Sequence, residues 1–423
     1  MQFQKMGKLM NPVTLMAGVA ATALISDGAL HSDVSFSRSS AAYAWLDDLL
    51  TSFSSNTPRF ANYEIGDTYT GLIIEGASVN GCINNSMTGA EEPSTFPTGW
   101  GSSFFGGTGL TAAIEDVGTE YGMPYVDINI SGTAVGNQTY ILQPFAVTDV
   151  EAAPVEVWTG SFYGKTISGD VPSDCLIHIN AWDDMGGYIS ESGSAFSFAS
   201  SIERISTIRT LPALTAYVSF YIGINFNNLQ SYDCTFRMYK PQLEEATFAS
   251  TPISTTTASV TRAADVCGIT NLDEKSWFNS EEYTIVVDFL AENKDDYRYV
   301  LSITDGTSDN RLEIFQADAS QSYAIGVEQY SGGVLTASAI GSPGGEGQIR
   351  LAIRCKANDF AVYKNGSVMG TPDMSNAVVV DPTDIKIGRD YNNANHFFGP
   401  VGELLIYPTG RDNTQLATFS TIA

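Results

Sequence analysis

Two short segments of the chain bring together the residue types that hold sugars in proteins. An aromatic ring stacks on the apolar face of a pyranose, while carboxylates and amides hydrogen-bond to its hydroxyls. The segments are residues 180–188, NAWDDMGGY, and residues 388–398, GRDYNNANHFF. The candidate contact residues are Trp182, Asp183, Asp184 and Tyr188 in the first segment, and Arg389, Asp390, Tyr391, Asn392, Asn393 and His396 in the second. Two alternatives stay open, in which Trp182 is a core residue at a strand end and Tyr391 is an intersubunit contact.

Catalytic signatures are missing. A glycosidase needs two carboxylates that face each other across the scissile bond. The Glu-x-Asp-x-x-Glu strand pattern does not occur, and neither do Gly-x-Ser-x-Gly, a P-loop or His-Glu-x-x-His. With 47 acidic residues in the chain, pairs such as Glu282 and Asp288 arise by chance and indicate solvated strand edges. We therefore predict no catalytic residues and no enzyme activity.

Metal-binding patterns are weak as well. The histidines His31, His178 and His396 are far apart in sequence. Calcium ligands are available in Asp- and Asn-rich loops, but none has the spacing of an EF-hand, and turn formation explains these residues equally well. The loops are Asp183 with Asp184, Asp305 with Asp309, and Asp390 with Asn392 and Asn393. We predict no cofactor and no metal, with calcium as the alternative.

Charge and cysteine usage restrict the partners and the compartment. The formal net charge is -26, and residues 61–203 contain eighteen Asp or Glu residues against a single basic residue, Lys165. Such a surface repels phosphate backbones and anionic headgroups, which excludes nucleic acid and membrane surfaces as partners. Five widely spaced cysteines without a CxxC pair predict free, mostly buried thiols in a reducing compartment.

Short apolar runs separated by glycine and other turn residues predict an all-β chain. Alternation at 349–353 and 360–363 indicates strands, and Asn365-Gly366 predicts a type I′ hairpin turn. We place a first β-sandwich at 81–250, a Ser/Thr-rich linker at 251–270 and a second sandwich at 271–423, which should fold alone. Residues 1–80 are predicted to form an arm.

The arm has two apolar features. A run at 13–25 follows Lys5 and Lys8 like a signal peptide, and we interpret it as an anchoring segment with an export signal as the alternative. A second patch at 41–53 has apolar residues at helical spacing, which predicts a short helix-like segment for assembly contacts. Its apolar residues are Trp45, Leu46, Leu49 and Leu50.

Several motifs resemble a module of tailed-bacteriophage head-spike and tail-fibre proteins. The matching residues are Phe36, Arg38, Pro58, Arg59, Phe60, Gly71, Leu72, Ile73, Ile74, Glu75, Gly76, Ala77 and Asn80, then Pro241, Gln242, Leu243 and Glu244, and finally Val260, Thr261, Arg262, Ala263, Ala264 and Asp265. The chain departs from the pattern at 44–55, where an apolar patch replaces a Gly turn. The last quarter, from the 349–353 strand to FFGPVGELLIYP, resembles the end of a laminin-G or concanavalin-like lectin sandwich.

The resemblance implies a carbohydrate-binding-like jelly roll followed by a lectin-like sandwich, in a virion structural protein that binds other virion proteins and host-surface glycans. It also implies a homotrimer and localisation in the virion, with assembly in the host cytoplasm. Two alternatives remain, a tailspike polysaccharide depolymerase and a secreted bacterial adhesin.

Overall fold

The computed structural model describes residues 20–144, 150–341 and 346–422. It is 55% strand and 3% helix, and its sheets are antiparallel, so the prediction of an all-β fold is confirmed. The first strands are β1 Thr22–Ser26, β2 Ala29–Leu30, β3 Ser35–Ser37, β4 Ala42–Leu46, β5 Leu49–Phe53, β6 Phe60–Ala61, β7 Gly71–Ile74, β8 Ser78–Asn80, β9 Gly101–Glu120, β10 Met123–Gln143, β11 Val157–Ser168, β12 Cys175–Trp182, β13 Tyr188–Phe196, β14 Glu203–Thr210, β15 Tyr217–Phe226, β16 Ser231–Glu245 and β17 Val260–Arg262. The remaining elements are β18 Val266–Thr270, β19 Glu282–Ala291, β20 Arg298–Thr304, β21 Arg311–Gln316, β22 Ile325–Ser331, β23 Val334–Ile340, β24 Gly347–Lys356, β25 Phe360–Lys364, β26 Ser367–Asp373, β27 Asp384–Ile387, β28 Gly399–Tyr407 and the helix α1 Asn413–Phe419, with 3-10 turns at Leu272–Glu274 and Ala319–Gln321.

The chain divides into two compact units with boundaries that differ from the predicted ones. Within the described residues, unit 1 draws on Met1–Ser39, Ser55–Gly76 and Ala264–Ala423, and unit 2 on Ser40–Ser54 and Ala77–Ala263. The segment expected as a separate arm therefore supplies strands to both units. Lys5, Lys8 and most of the apolar run at 13–25 lie outside the described residues, and the end of that run is β1.

Unit 1 consists of two antiparallel sheets. The first has the order β2-β1-β28-β19-β24-β25-β26, with β7 also paired to β28, and the second has the order β23-β22-β21-β20-β27-β18-β3. Their apolar residues share one core, which includes Ile25 from β1 and Leu72 from β7. Since both early strands pair with β28, the sandwich of 271–423 is not complete without residues from the first 80.

The predicted hairpin is present between β25 and β26. Lys364 pairs with Ser367, and the two turn residues have positive φ angles, 49° at Asn365 and 83° at Gly366. Asn and Gly tolerate this conformation, which a type I′ turn requires at both central positions. The sequence pattern at 349–369 thus identified these strands and their turn correctly.

Replacing Gly366 with Val should lower the free energy of unfolding by more than about 1 kcal/mol, because a β-branched residue resists positive φ. Denaturant unfolding measures this change. Ser367→Val is the matched control, since Ser367 is exposed in a strand and should tolerate valine. An unchanged unfolding midpoint for Gly366→Val would contradict the turn assignment.

A fully buried ion cluster lies inside unit 1. The Arg59 guanidinium contacts Glu75 Oε2 at 2.8 Å and Asp265 Oδ2 at 2.6 Å, and Arg38 contacts Asp265 Oδ1 at 2.9 Å. Burial alone would lower the pKa of Arg59, but the carboxylates of Asp265 and Glu75 more than offset it, so the pKa is raised. All four residues belong to the motif that resembles the phage module, and they join three separate stretches of chain.

Arg59→Met should destabilise unit 1 by about 3–5 kcal/mol, because it leaves two buried carboxylates with one guanidinium. The control is Lys356→Met, which removes an ion pair to Glu282 whose lysine is 51% exposed. Such a pair contributes less than about 1 kcal/mol. Equal urea midpoints for the two variants would show that the cluster does not stabilise the unit.

Unit 2 is built on one large antiparallel sheet of order β13-β12-β15-β10-β16-β11-β14, with β9 paired to β10. Its last strand, β14, packs back against β12 and β13, so the sheet folds over a single apolar core. Strands β11, β12, β15 and β16 lie within the range 81–250 that was predicted to form the first sandwich. All five cysteines of the chain are free and buried, as predicted. Among the described residues, no helix is long and apolar enough to cross a membrane.

The patch at 41–53 is a β-hairpin, so the prediction of a helix-like segment is wrong. Strands β4 and β5 pair around Asp47 and Asp48, which both have positive φ. Trp45 is 1% exposed and packs edge-to-face on Tyr163 of the same unit, at 5.5 Å between ring centroids. Leu50 is also buried, so neither residue is available for assembly contacts. Leu46 and Leu49, beside the turn, are exposed and keep that role as a prediction.

The first residues of the segment expected to be a linker, 251–255, are largely buried in unit 2, whereas residues 264–270 belong to unit 1. Both Asn80 and Asn85 donate their side-chain amides to the Ile253 carbonyl, at 2.9 and 2.8 Å. Thr255 donates its backbone amide to Asn85 Oδ1 and its hydroxyl to the Cys82 carbonyl. Composition suggested that nothing here could be buried, but distant asparagine side chains satisfy the backbone.

Lys240 is a buried amine in unit 2. Its side chain is 4% exposed and donates to Ser254 Oγ at 2.7 Å. Burial lowers the pKa of Lys240 to about 8. Between pH 8 and its ordinary pKa of 10.5, the unfolded chain therefore binds a proton that the folded chain does not, and stability rises with pH.

Denaturant unfolding at pH 7, 8, 9 and 10 should show a gain of about 2 kcal/mol between pH 8 and 10, which Lys240→Met abolishes. Lys165→Met, at a half-buried lysine paired with Glu120, should keep the gain. If the free energy of unfolding rose equally with pH for the native protein and Lys240→Met, the lowered pKa of Lys240 would be contradicted.

Candidate functional site

Three cross-strand rows on β13, β12 and β15 form a polar and aromatic face of unit 2. Ile177, Ile179 and Ala181 of β12 lie in the core, so the alternate residues of this strand point away from it. We call this face the aromatic grid. Its rows are Tyr188–Trp182–Tyr217, Glu191–Asn180–Ser219 and Gly193–His178–Tyr221.

The first row supplies the aromatic surface. Trp182 and Tyr188 meet edge-to-face with 5.5 Å between ring centroids, and Tyr188 is 54% exposed. The Trp182 indole N–H donates to Ser219 Oγ at 2.9 Å. This bond fixes the ring on the outward side of the sheet, so Trp182 is half-buried in the grid and is not a core tryptophan.

Glu191 connects the rows. The Tyr221 hydroxyl donates to Glu191 Oε2 at 3.1 Å and lies 2.8 Å from His178 Nδ1. Burial and the Glu191 carboxylate both raise the pKa of Tyr221, and the same two causes raise that of Tyr188. Both phenols therefore stay neutral beside the carboxylate and remain able to donate hydrogen bonds.

Asn180 lies at the centre of the grid. Its side chain is 6% exposed, and its amide oxygen Oδ1 is buried with no hydrogen-bond partner among the described residues. A buried unpaired acceptor costs about 1–3 kcal/mol. The position therefore favours a ligand group that donates a hydrogen bond. Beside it, a Cβ at Gly193 would lie 2.4 Å from His178 Cδ2, so only glycine leaves room for the imidazole.

The loop between β12 and β13 borders the grid and is organised by Asp183. Its Oδ1 accepts hydrogen bonds from the backbone amides of Met185, at 3.0 Å, and Gly187, at 2.6 Å. Asp184 is exposed, and Met185 is 92% exposed. Of the four residues predicted in this segment, Trp182 and Tyr188 thus meet directly, while Asp183 shapes the turn that joins them.

The second predicted segment, in unit 1, is a self-contained loop. Asp390 is buried, and its carboxylate accepts from the backbone amides of Asn392 and Ala394 and from the Asn395 side chain, at 2.7–2.9 Å. Asn392 and Asn393 are exposed at the loop tip. The acid therefore stabilises the loop and offers little to a ligand.

The other residues of that loop do not converge on one surface. Arg389 is buried, whereas the half-buried Tyr391 ring lies 4.9 Å from the Arg311 guanidinium. His396 packs on Phe398 with 6.5 Å between ring centroids. The segment presents one aromatic ring beside a cation, so it is a weaker candidate than the aromatic grid.

The candidate calcium loops use their carboxylates internally. Asp183 and Asp390 accept the backbone bonds given above, and Asp305 accepts from the backbone amide and hydroxyl of Thr307 and from Asn310. Among the described residues, no group of three or more His, Cys, Asp or Glu side chains is placed to hold a metal ion. Turn formation accounts for these loops.

A groove of about 560 Å³ lies elsewhere in unit 2. Trp158 and the carboxylates of Glu151, Glu156 and Glu245 contribute to its lining. Glu156 Oε2 accepts from the Trp158 indole at 3.0 Å. Burial and the neighbouring Glu156 raise the pKa of Glu245 above its ordinary value.

Four residues of the grid, His178, Asn180, Glu191 and Tyr221, were not predicted as glycan contacts from the sequence. A usable signal was present, because His178, Asn180 and Trp182 alternate along β12 as one face of a strand. Glu191 and Tyr221 could not be placed beside them, since a bulge at Ala181/Trp182 sets the β12–β13 register.

No protein-family model matches the chain, and neither does any curated protein. Solved structures with partial likeness include the CBM40 domain of a Ruminococcus gnavus IT-sialidase bound to α2,3-sialyllactose, at 16% identity over 34% of this chain and 84% of that one, with a TM-score of 0.30. The active domain of tailspike protein 4 from bacteriophage CBA120 matches at 13% identity over 34% and 19%, with a TM-score of 0.26. Mouse laminin α1 domains LG4-5 match at 12% identity over 64% and 92%, with a TM-score of 0.24. The structural neighbours thus include carbohydrate-binding, tailspike and laminin G domains, at a likeness too low to assign an activity.

Proposed function

We propose that this chain is a non-enzymatic glycan-binding protein and that the aromatic grid of unit 2 is its contact surface. The observation that carries the proposal is the grid itself, in which Trp182 and Tyr188 adjoin the unpaired Asn180 oxygen and the Glu191 carboxylate. Pyranose rings present C–H faces that suit aromatic rings and hydroxyls that suit these acceptors.

The biological setting that we propose is a bacteriophage virion. The chain would be a head spike, fibre or decoration that contacts host-surface glycans, with a homotrimer as the assembly. Support comes from the resemblance of the motif residues to phage head-spike and tail-fibre proteins. Four of those residues form the buried ion cluster of unit 1, so this part of the motif stabilises the fold itself.

The affinity of a single grid should be modest. One aromatic pair and a few hydrogen bonds support binding of about 4–7 kcal/mol, in the millimolar to tens-of-micromolar range. Several copies on one particle would raise this to firm attachment without new contacts.

Substitutions separate the grid from the loop in unit 1. Trp182→Ala and Tyr188→Ala should each weaken binding in a glycan array and a cell-adsorption assay by at least tenfold, because they remove the stacking surface. Tyr391→Ala should bind like the native protein. The exposed Tyr188 is the safer variant for folding, which melting temperatures would verify. Retention of binding by both grid variants would contradict the proposed site and favour a decoration that stabilises the particle.

The virion setting needs its own experiment. Mass spectrometry of purified particles should detect the chain, and antibody–gold labelling should place it on the head or the tail. Absence from particles, together with an N-terminus shortened by export processing, would support the secreted adhesin instead.

A second candidate function, polysaccharide depolymerisation, is favoured by the groove beside Trp158. There the raised pKa of Glu245 would suit a general acid and Glu156 a partner carboxylate. Release of reducing ends from host capsule or lipopolysaccharide, abolished by Glu245→Gln, would establish this activity. No release from several hosts would exclude it.

A further inference from the structure

The charge of unit 2 restricts which glycans can approach it. Its sequence contains twenty acidic and six basic residues. The basic residues are Lys165, Arg204, Arg209, Arg237, Lys240 and Arg262, and each is buried or half-buried. Lys165 is ion-paired with Glu120, and Arg237 with Glu120 and Asp127, so two carboxylates offset these two positive charges.

Arg209 is the cation associated with the grid. The residue is 7% exposed, and its guanidinium donates to the carbonyls of Ile179 and Ser190, at 2.6 and 2.8 Å, and to the Ser190 hydroxyl. Three of its N–H groups are thus bonded to β12 and β13 in the interior, and its positive charge interacts with the Glu191 carboxylate. Arg209 therefore supports the shape of the grid.

The exposed charges beside the grid are carboxylates, and they lie next to the neutral hydroxyls of Tyr188 and Tyr221. Glu191 is exposed and contributes a carboxylate, and Asn180 contributes its unpaired amide oxygen. Asp184 adds a second exposed carboxylate on the adjoining loop. His178 Nδ1 is 3.4 Å from Glu191 Oε1 and 2.8 Å from the Tyr221 hydroxyl, and its side chain is only 17% exposed, so it offers little surface to a ligand.

We infer that the grid takes glycans that present hydrogen-bond donors and carry no negative charge, and that it rejects carboxylated and sulfated sugars. The inference rests on the proposed glycan binding and specifies its ligand class. Hydroxyls and ammonium groups donate to carboxylates and amide oxygens, whereas an anionic substituent would lie beside Glu191 with no exposed basic residue of unit 2 to compensate its charge.

The test uses the full chain on an array that contains matched neutral, amine-bearing, sialylated and sulfated oligosaccharides at moderate ionic strength. Neutral or amine-bearing glycans should bind at least tenfold more tightly than their anionic counterparts. Glu191→Gln keeps an acceptor for Tyr221 but removes the charge, so it should narrow that preference severalfold. Glu203→Gln, at an exposed carboxylate on β14, is the matched control and should leave the preference unchanged.

The outcomes distinguish this inference from the proposed function. Preferential binding of sialylated or sulfated glycans would overturn the inference and leave glycan binding intact. A preference for neutral glycans that Glu191→Gln does not alter would also overturn it, because Glu191 would not be the source of the discrimination. Absence of binding to every glycan and to host cells would overturn both.

Discussion

The buried contact between Arg59 and its two carboxylates joins distant stretches of the chain inside unit 1. A guanidinium without accessible solvent is stable only when its partners are in place, so Glu75 and Asp265 must reach it when the unit folds. Arg38 closes the cluster from a third stretch of chain. Residues that were predicted to form an N-terminal arm are thus part of the sandwich. The motif residues of the cluster have a structural role, because they pair with one buried charge.

In unit 2, hydrogen bonds to asparagine and glutamate side chains hold separate stretches of the chain together. Asn80 accepts from the Leu243 amide and donates to the Ile253 carbonyl, which holds the end of β16 against the segment that follows it. Glu244 accepts from the amide and the hydroxyl of Ser250. These contacts complete the frame from which β12, β13 and β15 present their outward residues. The aromatic grid is therefore built on regular strands, where ring positions are defined more precisely than on a long loop.

Local patterns predicted much of the fold, and non-local contacts explain what they missed. Alternation and Asn365-Gly366 identified the late hairpin because a turn depends on its own residues. The patch around Trp45 was misread because two short strands that meet at a two-residue turn also place apolar residues at helical spacing. Burial of Ile253 depends on asparagines some 170 residues away. For the site, the aromatic loop at Trp182 was recognisable, whereas Glu191 becomes its neighbour only through strand register.

The indole resonances of the full chain report directly whether a sugar contacts the grid. The chain has five tryptophans, Trp45, Trp100, Trp158, Trp182 and Trp277. The experiment is a titration with a neutral oligosaccharide that binds the chain, monitored by ¹⁵N–¹H correlation spectra. It should shift the indole signal of Trp182, whose N–H donates to Ser219 in the grid. The other four signals should stay in place. A shift confined to Trp158 would move the site to the acidic groove, and a shift that spares Trp182 altogether would contradict the grid as the glycan-binding surface.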